Sequence, residues 1–235
     1  MTVGPSHLLN IPLDLARGID ALGLQVTEAQ QHQLLSYMDL IQKWNKVYNL
    51  TALRGPQEIL THHVLDSLSV ITPLLRHIEQ NKLSEQPTVS LLDVGSGGGL
   101  PGVVIAICCP FVRVTCVDTV SKKAAFIQQA AASLRLPNLQ GVHARVESLS
   151  GPFDLICSRA FASLPDFVSW SLGALAHDGV WMAMKGKTPE DEMVALPSSA
   201  EVFHVEQLKV PGLEADRCVV WMKKSASLSA AASST

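Results

Sequence analysis

The chain has 235 residues, a formal net charge of −3, and 47% hydrophobic against 17% charged residues. This composition is that of a folded globular protein, and the length suits one well-cored domain with a small addition. The small negative charge excludes a strongly basic nucleic-acid coat, although a local basic face could still contact RNA. Residues 121–187 contain seven Lys or Arg and four Asp or Glu, a local excess of three positive charges.

Several features bear on the cellular compartment. The five cysteines lie in apolar stretches without metal-ligand spacing, which is typical of small core residues in a reducing compartment. The first residues lack the basic start and apolar run of a signal peptide. The longest nearly apolar run, 103–112, is far shorter than the roughly 18–20 residues that a membrane span requires. We therefore expect a soluble, cytoplasmic protein with no membrane partner.

Helical spacing dominates the chain up to about residue 78. Thr27, followed by Gln30 three residues later, predicts the capping-box start of a helix. Its apolar face is formed by residues spaced three or four apart: Leu34, Met38, Ile41, Trp44 and Tyr48. At this spacing the two aromatic residues are expected in the core, with stacking on RNA bases as the alternative. A second helix is predicted to begin at Pro56 and to be broken by Pro73.

After a linker at 81–88, short β-branched runs alternate with helical segments. Strands are predicted at 89–94, 112–118, 139–144, 153–158, 179–185, 201–210 and 217–223, and helices at 101–109, 121–134 and 164–175. Apolar strands separated by helices indicate a parallel sheet covered on both faces. The last two strands are joined by a turn at Pro211-Gly212 too short for a crossover helix, so they must pair antiparallel.

The chain is thus predicted to divide into three parts. Residues 1–85 form a small N-terminal helical portion, and 86–224 form the α/β domain. Residues 225–235 are a Ser/Ala tail that is expected to be disordered.

A glycine-rich loop joins the first strand to the first helix of the α/β domain. Residues 91–102 read Leu-Leu-Asp-Val-Gly-Ser-Gly-Gly-Gly-Leu-Pro-Gly. Ligands of open α/β sheets bind at such loops, because glycine permits sharp turns and the helix N-terminus favours an anion. The spacing fits two cofactors, a dinucleotide (Gly97-x-Gly99-x-x-Gly102) or S-adenosylmethionine (Asp93-x-Gly95-x-Gly97-x-Gly99).

Three details favour S-adenosylmethionine over a dinucleotide. Asp93 is a poor neighbour for a pyrophosphate but suits the cationic methionine moiety. The four glycines exceed what a dinucleotide turn requires, and Pro101 removes an N–H donor that a pyrophosphate would use. Asp118, at the end of the second strand, can accept hydrogen bonds from both ribose hydroxyls. We therefore predict a Rossmann-like class I methyltransferase, with a seven-stranded, mostly parallel sheet whose last strand is reversed.

Missing motifs narrow the choice of methyl acceptor. Methylation of an amino group on adenine or cytosine usually employs Asn/Asp-Pro-Pro-aromatic after the fourth strand, where residues 157–161 read Cys-Ser-Arg-Ala-Phe. Methylation at pyrimidine C5 generally uses a Pro-Cys dipeptide, and none occurs. Guanine N7 has an in-plane lone pair and needs no general base, only positioning and electrostatics. Arg159 is the candidate for positioning, since arginine suits the N7/O6 edge of guanine.

These segments together resemble the RsmG (older name GidB) family over about residues 28–223. The loop at 93–102, Ser-Arg-Ala-Phe-Ala-Ser at 158–163, His-x-x-Asp-Ser-Leu at 63–68 and Trp-Asn-Lys-x-x-Asn-Leu-Thr at 44–51 carry the resemblance. It implies methylation of guanine N7 at position 527, in the 530 loop of 16S ribosomal RNA. The partner is then free 16S rRNA or the small ribosomal subunit, and the protein is expected to act as a monomer.

The resemblance also implies the functional residues. The cofactor site would comprise Gly95, Gly97, Leu100, Asp118, Val146, Glu147 and Arg159. Four basic residues would face RNA: Lys122, Arg145, Lys185 and Arg217. No metal is expected at His62, His63 and Asp66, because adjacent histidines point in different directions on a helix. Surface or interdomain hydrogen bonding is the favoured interpretation of these three residues. The alternatives are a methyltransferase for a small molecule or protein side chain, a non-catalytic cofactor-binding regulator, and an NAD-dependent oxidoreductase.

Overall fold

The computed structural model describes residues 10–86 and 88–225. Seven strands form one sheet in the order β3-β2-β1-β4-β5-β7-β6. Their bounds are β1 Val89–Val94, β2 Val112–Asp118, β3 Leu139–His143, β4 Phe153–Arg159, β5 Leu175–Lys185, β6 Ala200–Gln207 and β7 Cys218–Lys224. Strands β1 to β5 pair in parallel, and β7 runs antiparallel to both β5 and β6. The predicted mostly parallel sheet with a reversed last strand is confirmed.

Helices precede the sheet and cover it. They are α1 Ile11–Ala21, α2 Glu28–Tyr48, α3 Pro56–Ile59, α4 Asp66–Leu68, α5 Ile71–Gln80, α6 Gly102–Cys108, α7 Ser121–Ser133, α8 Leu164–Ser171 and α9 Glu190–Val194, with a π-helix at Leu60–Leu65 between α3 and α4. None in the described parts of the chain is long and apolar enough to cross a membrane. The sequence reading missed α1, although Asn10 caps it and a proline lies in its first turn.

The helical stretch that begins at Pro56 was predicted to be broken by Pro73, and this prediction is wrong. The stretch continues through the π-helix and ends with α4 at Leu68, where the Ser69 hydroxyl donates to the Asp66 carbonyl at 2.6 Å. Such side-chain bonding competes with the helical pattern. Pro73 lies in the first turn of α5, where the backbone N–H has no partner within the helix and its absence costs nothing.

One hydrophobic core joins the N-terminal helices to the sheet. Leu34 and Ile41 of α2 are buried in the same cluster as Val103 of α6 and Ile127 of α7. The Tyr37 hydroxyl donates to the Gly98 carbonyl, so α2 is anchored on the glycine loop itself. The division into residues 1–85 and 86–224 stays a prediction. All of the predicted tail after residue 225 lies outside the described residues.

The last turn of α2 is less buried than predicted for its apolar face. Trp44 is only partly buried, and Tyr48 is 46% exposed. The capping box at Thr27 is present as predicted. Helical spacing identifies which residues share a face, but not where the neighbouring elements stop covering it. Tyr48 is therefore a surface residue.

Candidate active site

Two adjoining cavities lie at the carboxyl ends of the parallel strands. The first, of about 470 Å³, is bounded by the glycine loop, the ends of β4 and β5, and the N-terminal helices. The second, of about 400 Å³, lies beyond the ends of β1, β2 and β3. Gly95 and Ala160 line both cavities, so the two form one cleft. The cleft lies where the strand order reverses around β1, which is the ligand site of open α/β sheets.

The glycine loop needs glycine for two separate reasons. Gly95 has φ +64°, and a Cβ atom there would lie 2.0 Å from Cδ2 of Phe161. Gly97 has φ +57°, and a Cβ there would enter the open space of the first cavity. The loop is held down because the N–H groups of Gly95 and Ser96 both donate to the Val117 carbonyl. These glycines permit the turn and keep the cleft clear.

Asp118 is nearly buried in the second cavity and already has backbone partners. Its Oδ2 accepts from the Gly97 N–H at 3.0 Å, and its Oδ1 accepts from the Val120 N–H at 2.8 Å. An ionised carboxylate offers about four acceptor sites, so capacity remains for two ribose hydroxyls. Val146 and Glu147 line the same cavity. The residues present therefore fit the adenosine part of S-adenosylmethionine.

Ala160 separates two side chains that line different cavities. Its φ of +51° is uncommon for a residue other than glycine, and it sits at the turn that follows β4. Arg159 lines the first cavity, together with Leu100, whereas Phe161 lines the second. Of the predicted cofactor residues, Gly95, Asp118, Val146 and Glu147 thus meet in the second cavity, and Gly97, Leu100 and Arg159 in the first.

Asp66 connects the N-terminal helices to residues at the end of β4 and just before β7. Its carboxylate is 3% exposed and accepts from Arg159 Nη1 at Oδ2 and from Arg217 Nε at Oδ1, both at 2.8 Å. Arg159 Nη1 also donates to the carbonyl of His62, in the π-helix, at 2.8 Å. Both arginines are thereby fixed at the cavity wall. Hydrogen bonding by Asp66 agrees with the sequence-based interpretation, but its partners could not be named in advance because they are 93 and 151 residues away.

His63 lies behind Arg159 and is also held in place. Its Nε2 is 2.7 Å from Thr51 Oγ1, and its Nδ1 is 3.3 Å from Arg159 Nη2. Burial, followed by the charge of Arg159, lowers the pKa of His63 to about 4, so the ring is neutral near pH 7. In the described parts of the chain, no group of three or more His, Cys, Asp or Glu residues is arranged to hold a metal ion.

The four predicted RNA-facing residues lie in two different settings. Lys122 and Arg145 are exposed, Arg145 at the rim of the second cavity. Lys185 and Arg217 line the first cavity and have acidic partners. Lys185 Nζ is 2.8 Å from Glu192 Oε2 and 2.9 Å from the Ala162 carbonyl. The partner of Lys185 could not be anticipated, because helix α9, which carries Glu192, was not predicted.

Asp93 lies beneath the glycine loop and does not line the cleft. Its side chain is fully buried, and Oδ2 accepts from the Gly102 N–H at 2.9 Å. Burial raises the pKa of this carboxyl from 3.8 to about 7. The expectation that Asp93 faces the cationic methionine moiety is thus corrected, since a fully buried carboxylate supports the start of α6 instead.

The raised pKa of Asp93 gives a pH-dependent stability. Between about pH 4 and pH 7 the folded protein holds this proton and the unfolded chain does not, so the unfolding free energy falls as pH rises through this window and levels off above it. Asp93→Asn keeps an acceptor for Gly102 and cannot titrate. We expect the variant to lack the fall in unfolding free energy that Asp93 causes, as measured by urea unfolding at about pH 5 and about pH 8. An identical pH difference in wild type and variant would contradict the assignment.

Comparison with known proteins places the chain in a family. The sequence profile of rRNA small subunit methyltransferase G (GidB) matches residues 30–220. The chain is 61% identical over 228 residues to ribosomal RNA small subunit methyltransferase G of Paracidovorax citrulli, covering 95% of this chain and 93% of the relative. It is 64% identical over 210 residues to the protein of the same name from Polaromonas sp. strain JS666, covering 89% and 92%.

Solved structures show the same fold at much lower identity. The N-methyltransferase NodS from Bradyrhizobium japonicum, in complex with S-adenosyl-L-homocysteine, superposes with a TM-score of 0.51 at 13% identity, over 79% of this chain and 99% of that one. The predicted Rossmann-like methyltransferase fold is therefore confirmed. The family profile and the relatives over 60% identical confirm the resemblance: the chain belongs to the rRNA small subunit methyltransferase G family.

Proposed function

We propose that this chain is an S-adenosylmethionine-dependent methyltransferase that modifies N7 of the guanine at position 527, in the 530 loop of 16S ribosomal RNA. The observation that carries the proposal is the identity of about 60% with relatives named ribosomal RNA small subunit methyltransferase G, over nearly the whole chain. The cleft supports it, because the second cavity fits the adenosine part of the cofactor and the first cavity holds two fixed arginines at its wall.

The residues of the second cavity are proposed to hold the adenosine part of the cofactor. Asp118 would accept hydrogen bonds from the ribose hydroxyls, and Val146 and Glu147 would flank the adenine. Gly95, Gly97 and Leu100 would leave room for the methionine part to reach the first cavity. S-adenosylmethionine, when bound, supplies an electrophilic methyl group. The task of the chain is to hold that group and its acceptor in line.

The ionisable groups of the first cavity suit an acceptor that needs no deprotonation. Asp66 is occupied by two arginines, and the low pKa of His63 makes it a weak base. Guanine N7 presents its lone pair without losing a proton. We propose that Arg159 positions the base from the cavity wall, with its guanidinium oriented by Asp66 and the His62 carbonyl.

The basic residues are proposed to share the contacts with RNA. Lys122 and Arg145 are exposed and would contact phosphates outside the cleft, whereas Lys185 and Arg217 would face the target nucleotide inside the first cavity. Residues of this one chain line both cavities, so we propose that the enzyme acts as a monomer. Its partner, 16S rRNA or the small ribosomal subunit, would be met in the cytoplasm.

The decisive experiment is mass mapping of 16S rRNA from cells with and without the gene. The methyl group on guanine 527 should disappear without the gene and return when wild-type protein is supplied. S-adenosylmethionine, but not NAD, should raise the melting temperature of the purified protein, because a ligand of the folded state stabilises it. Cofactor stabilisation with an unchanged rRNA modification pattern would favour the alternative, methylation of a small molecule or protein side chain.

Asp118→Ala tests the cofactor site. Loss of the hydrogen bonds to the ribose is expected to weaken S-adenosylmethionine binding by roughly 1.5–3 kcal/mol, the range for hydrogen bonds to a charged group. Isothermal titration calorimetry would measure this change. Lys122→Ala is the control, because Lys122 lies outside both cavities, and its cofactor affinity should stay within about twofold of wild type. Equal S-adenosylmethionine affinities in wild type, Asp118→Ala and Lys122→Ala would show that the ribose does not bind at Asp118.

A further inference from the structure

Tyr48 forms an exposed aromatic surface at the end of α2. Its ring is 46% exposed and packs on Trp44, with ring centroids 4.9 Å apart. Trp44 in turn contacts the buried Phe126 edge-on, at 5.3 Å. A row of three rings thus runs from the core to the surface. Because its inner side is supported, the Tyr48 ring is held rigidly while much of it remains open to solvent.

Positive charge lies close to this ring. The Lys122 ammonium lies over it, 5.2 Å from the ring centroid. Arg54 Nη2 donates at 3.0 Å to the side chain of Asn49, the residue that follows Tyr48. Between residues 40 and 57 the chain carries Lys43, Lys46 and Arg54 and no Asp or Glu. An exposed aromatic ring among cations has the chemistry that single-stranded nucleic acid recognises, because bases stack on the ring and phosphates pair with the cations.

Residues that follow Tyr48 in the chain line the cleft. Asn49 ends α2 in the left-handed conformation, with φ 48°. Leu50 and Thr51 then line the first cavity, where Leu50 packs against Gly98 of the glycine loop. Three residues span at most about 11 Å, so the backbone of Tyr48 lies within that distance of Thr51, which lines the cavity proposed to receive the guanine.

We propose that Tyr48 and Lys122 form a stacking site for an unpaired nucleotide of the RNA substrate, next to the guanine that enters the first cavity. This inference rests on the proposed function and assigns a binding surface to it. The base stacks on the outer side of the Tyr48 ring. The long side chain of Lys122, whose exposed contact with the ring is weak, moves to the adjoining phosphate. The target guanine and its neighbour are thereby held at two points.

The molecule contains a matched control for this site. Phe203 on β6 is 44% exposed and has the Lys223 ammonium 6.0 Å from its ring centroid. However, Lys223 is paired with Glu201 at 3.2 Å, and Glu206 lies on the same strand. In this second aromatic–lysine pair the lysine is thus neutralised by an acid, and the pair lines neither cavity of the cleft. Phe203→Ala therefore removes an equally exposed ring without touching the proposed site.

The experiment measures binding of a fluorescent single-stranded RNA with the 530-loop sequence, by anisotropy across a salt series. Tyr48→Ala should weaken binding about 5- to 150-fold with an unchanged salt slope, because stacking involves no counterion release. Tyr48→Phe and Phe203→Ala should bind within about twofold of wild type. Lys122→Gln should lower the salt slope by about 0.7, the value for one phosphate contact on a single strand.

A second measurement needs no substitution. In the wild-type protein, 5-iodouridine placed beside the target guanine should photocrosslink to Tyr48, as read by mass spectrometry. If Tyr48→Ala binds the RNA as tightly as Phe203→Ala, or if no crosslink maps to Tyr48, the stacking site is overturned. The proposed function would fail if guanine 527 were unmethylated in cells that carry the gene. Weaker RNA binding by Tyr48→Ala together with a Tyr48 crosslink would still support the stacking site in that case. Methylated rRNA with normal binding by Tyr48→Ala would refute this inference alone.

Discussion

Arg159→Ala is expected to slow methyl transfer to the rRNA by about 10²–10³-fold, the loss typical of removing one oriented donor from an active site. Arg159 lines the first cavity and is fixed by the Asp66 carboxylate and the His62 carbonyl. Single-turnover assays at saturating RNA would measure the chemical step. The salt slope of RNA binding should change little, because Arg159 acts inside the cavity rather than along the phosphates.

Two further variants test whether Arg159 acts through its position, through its charge or only through the stability of the fold. Arg159→Lys keeps the charge but loses the planar guanidinium, whose Nη1 holds Asp66 and the His62 carbonyl while Nη2 lies 3.3 Å from His63 Nδ1, so it should restore only part of the rate. Asp66→Asn removes the ion pair of Arg159 and leaves its hydrogen bond to the His62 carbonyl. The effect of this variant should not add to that of Arg159→Ala if the pair works as a unit. Asp66 retains Arg217 in the Arg159→Ala protein, which should remain folded. Turnover of Arg159→Ala within about threefold of wild type would remove Arg159 from the mechanism.

Gly95→Ala should abolish measurable stabilisation by S-adenosylmethionine and lower the unfolding free energy by at least about 2 kcal/mol. The new methyl group would meet the Phe161 ring at 2.0 Å, and alanine disfavours φ +64°. Either the loop or the ring must shift, and both line the cleft. Thermal melts with and without cofactor would show the effect.

Gly23→Ala is the matched control for backbone strain. Gly23 has φ +66°, nearly the value at Gly95, but a Cβ there meets nothing within 4 Å. This variant should lose about 1–2 kcal/mol of stability and keep the full cofactor response. Removing the clashing ring, in the double variant Gly95→Ala with Phe161→Ala, should recover part of the stability. A normal cofactor response in Gly95→Ala would show that the loop does not bind the methionine part as proposed.

Local pattern and connectivity were sufficient to predict the sheet and the position of the glycine loop and Asp118 at its edge. The bounds of β1 and β2 agree with the prediction, because apolar β-branched runs end at the glycine loop and at Asp118. Parallel strands present their carboxyl ends at one edge of the sheet. The glycine loop and Asp118 could therefore be grouped without coordinates, whereas the place of Val146 was implied by the family resemblance. The reversed β7 followed from a connection too short to cross the sheet.

Only the tertiary structure decided which distant side chains meet along the cleft. Asp66 meets Arg159 and Arg217 across 93 and 151 residues, and Phe161 packs over Gly95 from another loop. These long-range contacts depend on how the N-terminal helices pack on the glycine loop. The hydrophobic periodicity of a single segment does not determine that packing. The exposure of Tyr48 has the same origin, since a helical face is buried only as far as its neighbours extend.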